Sequence, residues 1–384
     1  MKRKRITTKT INLICQYSSE PTGGGSVIVN EQIDFLLKSN YEINVLSFYP
    51  ETSSTLNKEK YKKLTIYYVH KPLGISLFDA IFIAIKASKF IKRDHRVISH
   101  LPLYFRRTRN LISYFHISFK QYNKIRRKLI KYSVREFLGS LFNYPLEIFE
   151  KFRISNSHLL IAVSERVKNE LIQEGADVEK IRVIPNTVNP KRFHPNPLVK
   201  SEMQKELFGN DNYFVLLSIG RLSPLKGFQT TLKALDLLKG GERNIRFIII
   251  GKGYYKGTLK KIAKKLNLKD SIIFKDFIPN HELYKYYNTA DVTIISSFYE
   301  SFGLTALEAL ACGCPVVSSD VGDIKDICQN SAKIFKPGDY KKLAYYIELF
   351  LENKKVREDM SKRGLEIVKR YQPEKIYTKL LKYL

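Results

Sequence analysis

The stretch 296–320 contains residues that are suited to binding a phosphorylated ligand. Two glutamates, Glu300 and Glu308, are separated by seven residues, and Gly303 lies between them. The letters that follow, TALEALAC, have the apolar spacing of a helix. A helix N-terminus presents unpaired N–H groups to an anion, and Glu308 lies about one turn further on. The stretch is therefore either a phosphate-binding turn between two carboxylates or an acidic loop before an ordinary surface helix.

Two cations further upstream have the spacing expected of a diphosphate site. Arg221 and Lys226 occur in SIGRLSPLKGFQTTLKAL, on the loop that enters a predicted helix. Cations and helix dipoles can stabilise the negative charge of a departing diphosphate without a metal. Taken alone, the same two residues are also consistent with surface cations.

Both motifs resemble those of the retaining GT-B glycosyltransferases, most closely glycosyltransferase family 4. ESFGLTALE is similar to the family's E-x7-E motif, and GRLSPLKG to its G-R-L-x-x-x-K-G segment. The segments IIIGKGYYKGTLK, FKDFIPNHEL and YNTADVTIISS also occur in the family's order. The resemblance is strong over 213–337 and weaker elsewhere. It implies an α/β protein of the GT-B fold, in which two Rossmann-like doubly wound domains face each other across a cleft.

The resemblance also implies a role for each residue of the donor site. Arg221 and Lys226 would bind the diphosphate of a nucleotide sugar. Glu308 would accept hydrogen bonds from both ribose hydroxyls. Glu300 would contact the donor sugar and support positive charge at the reacting carbon. The predicted donor site is completed by the backbone N–H groups of Gly303, Leu304 and Thr305, the main chain of Ile278, and Gly24 and Gly25.

The implied reaction moves a sugar from a UDP- or GDP-sugar to an acceptor hydroxyl, with retention at the anomeric carbon. No metal and no cofactor are predicted, because no D-x-D stands at a strand end of the cleft-lining segments. The expected acceptor is a lipid-linked or cell-surface glycan of the cell envelope. Lys252 and the sequence VGDIKD depart from the family's pattern beside the donor sugar, so the sequence does not identify that sugar.

The first half of the chain predicts a βαβ unit. A buried strand over 10–14 leads into glycines 23–25, a helix over 27–40 and a strand over 42–48. Three consecutive glycines are also typical of a flexible turn, so the ligand role of Gly24 and Gly25 follows from the resemblance. An apolar helix is predicted over 76–91.

Two histidines end predicted strands further along. His116 follows LISYF, and His100 ends RVISH. A lone histidine is more often structural. In the family, however, a histidine at this place faces the donor sugar, and His116 fits that position better than His100. An uncharged imidazole there would hydrogen-bond a sugar hydroxyl.

The elements predict two domains. The first covers 1–196 and is rejoined by a C-terminal helix over 373–384. The polar, proline-containing stretch 197–211 is predicted to be a linker. The second, nucleotide-sugar-binding domain covers 212–372.

The net charge of +29 predicts an anionic partner, since the chain has 66 Lys+Arg and 37 Asp+Glu.

The pattern of residues 119–137 predicts one amphipathic helix. Its apolar face includes Tyr122, Ile125 and Leu129, which are expected to insert into an anionic membrane. A core-packed helix with a solvated basic face is the alternative. The predicted basic face consists of Lys120, Lys124, Arg127, Lys131 and Arg135.

The composition indicates the class of protein and the state of its cysteines. Hydrophobic residues make up 44% of the 384 residues, which indicates a globular protein. The four cysteines are too few for a disulfide framework and predict buried thiols. The expected location is cytoplasmic, at the inner face of the membrane. A polyanion- or nucleic-acid-binding protein remains an alternative, as does a GT-B enzyme of other chemistry, such as an epimerase or a phosphorylase.

Overall fold

The computed structural model describes residues 9–15, 17, 23–48, 58–69, 85, 91, 96–101, 110–239 and 244–384. The chain forms two compact units. Unit 1 consists of Met1–Asn123, Ser140–Pro185 and Pro373–Leu384, and unit 2 of Lys124–Gly139 and Asn186–Gln372.

Unit 1 contains a mixed sheet of eight strands among the described residues, in the order β3-β4-β2-β1-β5-β6-β7-β8. The pairing is parallel except between β3 and β4 at one edge. The strands are β1 (Lys9–Ile14), β2 (Tyr41–Phe48), β3 (Lys58–Tyr61), β4 (Leu64–Val69), β5 (Val97–Ser99), β6 (Leu111–Phe115), β7 (Leu159–Ala162) and β8 (Ile181–Val183).

Helices pack against this sheet and bury the apolar side chains of its strands. Parallel strands are buried on both faces, and all five residues of β6 are accordingly buried. The predicted βαβ unit is present, although its helix begins earlier than expected and includes Gly24 and Gly25. The described helices up to β8 are α1 (Gly24–Lys38), α2 (Phe119–Lys128), α3 (Val134–Phe142), α4 (Tyr144–Asn156) and α5 (Glu165–Gln173).

Unit 2 contains a parallel sheet with the strand order β11-β10-β9-β12-β13-β14 in its described part. Numbered within the unit, this order is 3-2-1-4-5-6, that of a doubly wound dinucleotide-binding sheet. Its strands are β9 (Phe214–Ile219), β10 (Ile245–Ile250), β11 (Ile272–Lys275), β12 (Val292–Ile295), β13 (Val316–Ser319) and β14 (Ala332–Phe335).

The helices of unit 2 complete a core in which Leu216, Phe247 and Phe350 are almost wholly buried. From Asn186 onward its helices are α6 (Pro197–Phe208), α7 (Phe228–Leu237), α8 (Lys256–Lys265), α9 (Leu283–Thr289), α10 (Leu304–Ala311), α11 (Ile324–Cys328), α12 (Tyr340–Glu352) and α13 (Lys354–Val368). The last helix, α14 (Pro373–Leu381), belongs to unit 1, where the Tyr377 hydroxyl donates to the Ile28 carbonyl at 3.1 Å.

Two sequence-based predictions about these elements are wrong. The stretch predicted to be a linker forms α6, because Pro197 starts a helix that buries Val199 and Met203 and ends at Gly209 in the left-handed conformation. The helix predicted over 119–137 is two helices, α2 and α3. They are separated where the Ser133 carbonyl accepts from the Glu136 N–H and starts a new helix.

Three further features are a predicted helix, the cysteines and the length of the helices. The helix predicted over 76–91 lies almost entirely outside the described residues. All four cysteines are free and buried, as predicted, and burial raises the pKa of Cys314 and of Cys328 to about 12. Among the helices of the described residues, none is long and apolar enough to cross a membrane.

Candidate donor site and histidine cluster

The candidate donor site lies where the strand order of unit 2 reverses. Strands β9 and β12 are neighbours, and the chain leaves them toward opposite sides of the sheet. Open parallel sheets bind ligands at this point, outside the carboxyl ends of the strands. The loop after β9 carries Arg221 and Lys226, and the loop after β12 carries Glu300. The fold therefore brings together two sequence motifs that are more than seventy residues apart.

Lys226 and Glu300 form an ion pair in this structure. Nζ of Lys226 lies 2.6 Å from Oε1 of Glu300, and the Ser297 hydroxyl donates to the same oxygen at 2.7 Å. Both charged side chains are partly buried, at 27% and 18% exposure. At such a switch point, the positive charge of the lysine can bind a phosphate. The negative charge of the glutamate can face the group that is attached to that phosphate.

Two glycines make the close approach of these loops possible. Gly227 has φ +66°, and a Cβ there would lie 1.8 Å from the Ser296 carbonyl oxygen. Gly303 has φ +113°, and a Cβ there would lie 2.4 Å from Cγ1 of Ile324. A side chain at position 227 would push the loop of Lys226 away from Ser296, and one at position 303 would push the loop of Glu300 away from Ile324 of α11.

Gly303 also precedes α10 and leaves its first backbone donors available. The first helical hydrogen bond runs from the Ala306 N–H to the Gly303 carbonyl at 2.9 Å. The N–H groups of Leu304 and Thr305 therefore lie in the turn that lacks helical acceptors. This local geometry is suited to an anion, and the phosphate contact of Gly303, Leu304 and Thr305 stays a prediction.

Glu308 lies in the second turn of α10 and is 6% exposed. The hydroxyl of Tyr287, which is fully buried, donates to Oε2 of Glu308 at 2.7 Å. Burial and the nearby carboxylate raise the pKa of Tyr287 well above its usual value, so the phenol keeps its proton. Tyr287 thus fixes the carboxylate that was predicted to bind a ribose.

The remaining predicted donor residues lie on the surrounding loops of unit 2. Arg221 follows β9 and is exposed. Ile278 follows β11, the edge strand two positions from β9. Lys252, which departs from the family's pattern, places its ammonium 5.9 Å from the ring centroid of Phe277, next to Ile278. Gly322 packs close to the Glu300 backbone, since a Cβ there would lie 3.1 Å from the Glu300 carbonyl oxygen.

Unit 1 has a switch point of its own between β1 and β5. Gly24 and Gly25 form the exposed first turn of α1, whereas the sequence placed them in a loop. Their conformation is helical because Gly23, in an extended conformation, caps the helix, and its carbonyl accepts from the Val27 N–H at 3.2 Å. The two glycines thus offer helix N-terminal N–H groups to a ligand.

His100 and His116 are joined in one hydrogen-bonded chain. Nδ1 of His100 lies 2.9 Å from Nε2 of His116, and Nε2 of His100 lies 2.8 Å from Oε1 of Gln32. The amide nitrogen of Gln32 donates to the Tyr114 hydroxyl at 2.8 Å. With the amide in this orientation, His100 donates to Gln32 and accepts from His116. Nδ1 of His116 is then left as a hydrogen-bond acceptor.

Both imidazoles are neutral at physiological pH. Burial, with a smaller effect of the Arg153 charge, lowers the pKa of His116 to about 4. Burial, followed by the charges of His116 and Arg153, lowers the pKa of His100 well below its usual value. From the sequence, His116 and His100 were alternatives for one role. In the structure they are hydrogen-bonded to each other.

Arg153 holds the strand ends that carry the two histidines. Its Nη2 donates to the Ser99 carbonyl at 2.8 Å and to the Tyr114 carbonyl, and its guanidinium lies 4.2 Å from the ring centroid of Phe115. The side chain is 3% exposed, and burial lowers its pKa to about 9.

The predicted basic face is only partly present. Lys120, Lys124, Lys131 and Arg135 are exposed, whereas Arg127 is partly buried. The apolar residues expected to insert into a membrane face the protein instead. Leu129 is 2% exposed, and Tyr122 and Ile125 are partly buried. The prediction that this stripe inserts into lipid is therefore wrong.

Sequence reasoning missed several residues that position the predicted ones. Tyr287 and Ser297 lie in the segment YNTADVTIISS, for which no role was predicted, and Gln32 and Arg153 lie outside the quoted motifs. Tyr287, Gln32 and Arg153 act through contacts with residues distant in the chain, whereas Ser297 binds Glu300 three residues on. No sequence signal singles out Arg153, because Glu147, Glu150 and Lys151 precede it on the same helix. In the described parts of the chain, no group of three or more His, Cys, Asp or Glu side chains is arranged to hold a metal.

Two family models match the chain. The model described as glycosyl transferases group 1 matches residues 199–366, and that of glycosyltransferase family 4 matches residues 22–192. A curated relative, the alpha-monoglucosyldiacylglycerol synthase of Streptococcus pneumoniae, is 36% identical over 199 residues, which are 50% of this chain and 41% of the synthase. The chain aligns with half or less of the length of the first curated relatives that it matches.

Solved structures share the fold over nearly the whole chain. Sucrose-phosphate synthase from Thermosynechococcus elongatus has a TM-score of 0.79 at 19% identity, with 97% of this chain and 98% of that one covered. The HepE protein of Anabaena, in complex with UDP and glucose, has a TM-score of 0.74 at 18% identity, with the same coverage. The two family models together match most of the chain, and the fold agrees. The chain belongs to glycosyltransferase family 4 and has the GT-B fold.

Proposed function

We propose that the protein is a retaining glycosyltransferase that moves a sugar from a nucleoside-diphosphate sugar to an acceptor hydroxyl. The observation that carries this proposal is the ion pair between Lys226 and Glu300, at the switch point of a doubly wound sheet. The diphosphate is seated on the N-terminal turn of α10, with Lys226 and Arg221 as its cations. Glu308, fixed by Tyr287, accepts from the ribose hydroxyls.

The chemical role of Glu300 follows from its position next to Lys226. Departure of a nucleoside diphosphate leaves positive charge at the anomeric carbon and adds negative charge to the phosphates. Lys226 and the helix N-terminus stabilise the phosphates, and the Glu300 carboxylate stabilises the sugar. This division of charge requires no metal, so we propose a metal-independent reaction without a cofactor. In unit 1, we propose that Nδ1 of His116 accepts a hydrogen bond from a hydroxyl of the sugar.

The likeness to relatives supports the proposed substrates. The Anabaena HepE structure holds UDP and glucose, which supports a nucleotide-sugar donor and favours UDP as the first nucleotide to test. The pneumococcal relative is named for a glucosylated diacylglycerol, which supports a lipid acceptor at a membrane. We propose that the protein acts at the cytoplasmic face of a membrane and contributes to a cell-envelope glycan.

The experiment has two stages. A panel of UDP- and GDP-sugars is first screened by thermal unfolding, because a ligand that binds only the folded protein raises the melting temperature. The donor selected in this way is then incubated with diacylglycerol in vesicles, and the anomeric proton of the product is examined by NMR. A product with the donor's anomeric configuration supports the proposal. Inversion would contradict it, as would stabilisation by no nucleotide sugar.

A further inference from the structure

Helix α4 presents three large apolar side chains to solvent and buries two charged side chains. Tyr144, Ile148 and Phe152 recur every four residues and are 55%, 45% and 54% exposed. Glu150 and Arg153, by contrast, are 1% and 3% exposed. A surface helix of a globular protein normally has the opposite arrangement.

The buried charges explain which face is turned inward. Oε2 of Glu150 accepts from the Phe119 N–H at 2.8 Å, and Oε1 of Glu147 accepts from the Asn123 side chain at 2.8 Å. These contacts attach one side of α4 to the first turns of α2. At about 100° per residue, Ile148 and Phe152 lie about 160° around α4 from Glu150, and Tyr144 lies about 120° from it.

The exposed apolar face continues onto the end of the preceding helix. Leu141 and Phe142, the last two residues of α3, are 49% and 78% exposed. We call the five side chains of this part of unit 1 the apolar surface. Its members are Leu141, Phe142, Tyr144, Ile148 and Phe152. Isolated exposed apolar residues are ordinary, but five within twelve positions mark an interaction site.

The charges around the apolar surface indicate the kind of partner. In the stretch 119–156, which is described throughout, every exposed charged side chain is basic, and the three glutamates are buried or partly buried. Two of these cations, Lys120 and Lys151, lie in unit 1. Lys151 follows Tyr144 by seven residues of α4, or about two turns, so it lies beside Tyr144 on the exposed side of the helix. The exposed cations of the stretch are Lys120, Lys124, Lys128, Lys131, Arg135 and Lys151.

We propose that the apolar surface inserts into the interfacial region of a bilayer that contains anionic phospholipid. Aromatic and aliphatic side chains beside an exposed lysine, in a stretch whose exposed charges are all basic, fit such a bilayer. A protein partner would satisfy the apolar residues but would not require that every exposed charge be positive. This inference rests on the proposed function, because it places the enzyme where a lipid acceptor is found.

The absence of tryptophan from the chain makes a direct test possible. Phe152→Trp introduces the only indole, at a position that is half exposed and therefore tolerant. Leu198→Trp is the matched control, since Leu198 is 77% exposed on α6 of unit 2. Each variant is mixed with vesicles of phosphatidylcholine, either alone or with one third phosphatidylglycerol. Some acyl chains in both kinds of vesicle are brominated, so that an indole that inserts into the bilayer is quenched.

We expect the indole at position 152 to shift its emission to shorter wavelength and to be quenched in anionic vesicles only, whereas that at position 198 is unchanged. Ile148→Glu with Phe152→Glu should lower the partition coefficient into anionic vesicles by about tenfold or more. UDP affinity is measured on the same samples. Loss of UDP binding would contradict the proposed donor site, whereas loss of vesicle binding alone would contradict the proposed membrane surface.

Three outcomes would overturn the inference. Binding to anionic vesicles without a shift or quenching at position 152 would mean adsorption by charge alone. Equal binding of the wild type and the double glutamate variant would place the contact elsewhere. A blue shift without vesicles that grows with protein concentration, together with a dimer in sedimentation velocity, would show that a second copy covers the apolar surface.

Discussion

Neutralising Glu300 should have opposite effects on nucleotide binding and on turnover. In the structure, Glu300 holds the ammonium of Lys226 at 2.6 Å, so a diphosphate that binds Lys226 must compete with this carboxylate. Glu300→Gln removes that competition and retains the shape of the side chain. We therefore expect tighter binding of the nucleoside diphosphate and slower transfer of the sugar.

The size of the binding effect follows from the exposure of the pair. Ion pairs at the surface contribute about 0.2–1 kcal/mol, and this pair is more buried than most, at 27% and 18% exposure. About 1 kcal/mol corresponds to roughly a five-fold change in Kd, so Glu300→Gln should lower Kd by up to about five-fold. Lys226→Ala removes a charge-assisted bond of roughly 1.5–3 kcal/mol and should raise Kd by about tenfold or more.

Turnover should respond differently. The Glu300 carboxylate is needed only when positive charge develops on the sugar, so its loss should lower kcat on the order of 100-fold. Calorimetry with the nucleoside diphosphate and steady-state kinetics with the donor measure the two effects separately. Glu352→Gln and Lys264→Ala, at exposed positions of α12 and α8, are the matched controls.

The double variant isolates the pair. If Lys226 and Glu300 interact as described, Glu300→Gln should have little effect on Kd once Lys226 is alanine. An increase of Kd in Glu300→Gln, with kcat unchanged, would refute the reasoning. It would mean that Glu300 binds the nucleotide and not the sugar.

Three further predictions concern the metal, the tyrosine behind Glu308 and the histidines. Activity should survive EDTA; loss on chelation with recovery in Mg²⁺ or Mn²⁺ would contradict the proposed mechanism. Tyr287→Phe should lower the free energy of unfolding by about 1–3 kcal/mol and weaken nucleotide binding several-fold, because it takes a donor from the buried Glu308, whereas Tyr345→Phe at an exposed site should do neither. The pKa of His116 is lowered to about 4, so the unfolded chain binds more protons below about pH 6.5. Stability should therefore fall from pH 6.5 toward pH 4, by at most about 1.4 kcal/mol per pH unit for this histidine, and urea unfolding of His116→Asn should show a weaker dependence.

The fold of unit 2 could be predicted because its motifs are local. Gly303, Glu308 and the start of α10 lie within one loop and one helix, so their spacing along the chain sets their spacing in space. The alternation of strands and helices gave the doubly wound sheet, and that topology places the loops after β9 and β12 side by side.

Contacts between distant residues could not be predicted in this way. Nothing in the spacing shows that Tyr287 binds Glu308 or that His100 and His116 share a hydrogen bond. The break between α2 and α3 was missed because both halves keep a helical charge pattern across Ser133. That serine can cap a helix as well as continue one.

Helix α4 shows why periodicity alone misassigns a face. Its apolar residues at positions 144, 148 and 152 have the spacing of a buried stripe, yet they are exposed. Burying Ile148 and Phe152 would contribute about 1.5–3 kcal/mol each. The inward face instead places Arg153 on two strand-end carbonyls, and hydrogen bonds from a charged donor contribute roughly 1.5–3 kcal/mol each. It also places Glu150 on a backbone N–H; because burial raises the pKa of Glu150 well above its usual value, we count this bond as a neutral one of about 0.5–1.5 kcal/mol. Turning the helix would break these three bonds and leave buried polar groups without partners, a loss at least as large as the gain. Because Arg153 also holds the ends of β5 and β6, the contacts that position His100 and His116 are those that keep Ile148 and Phe152 at the surface.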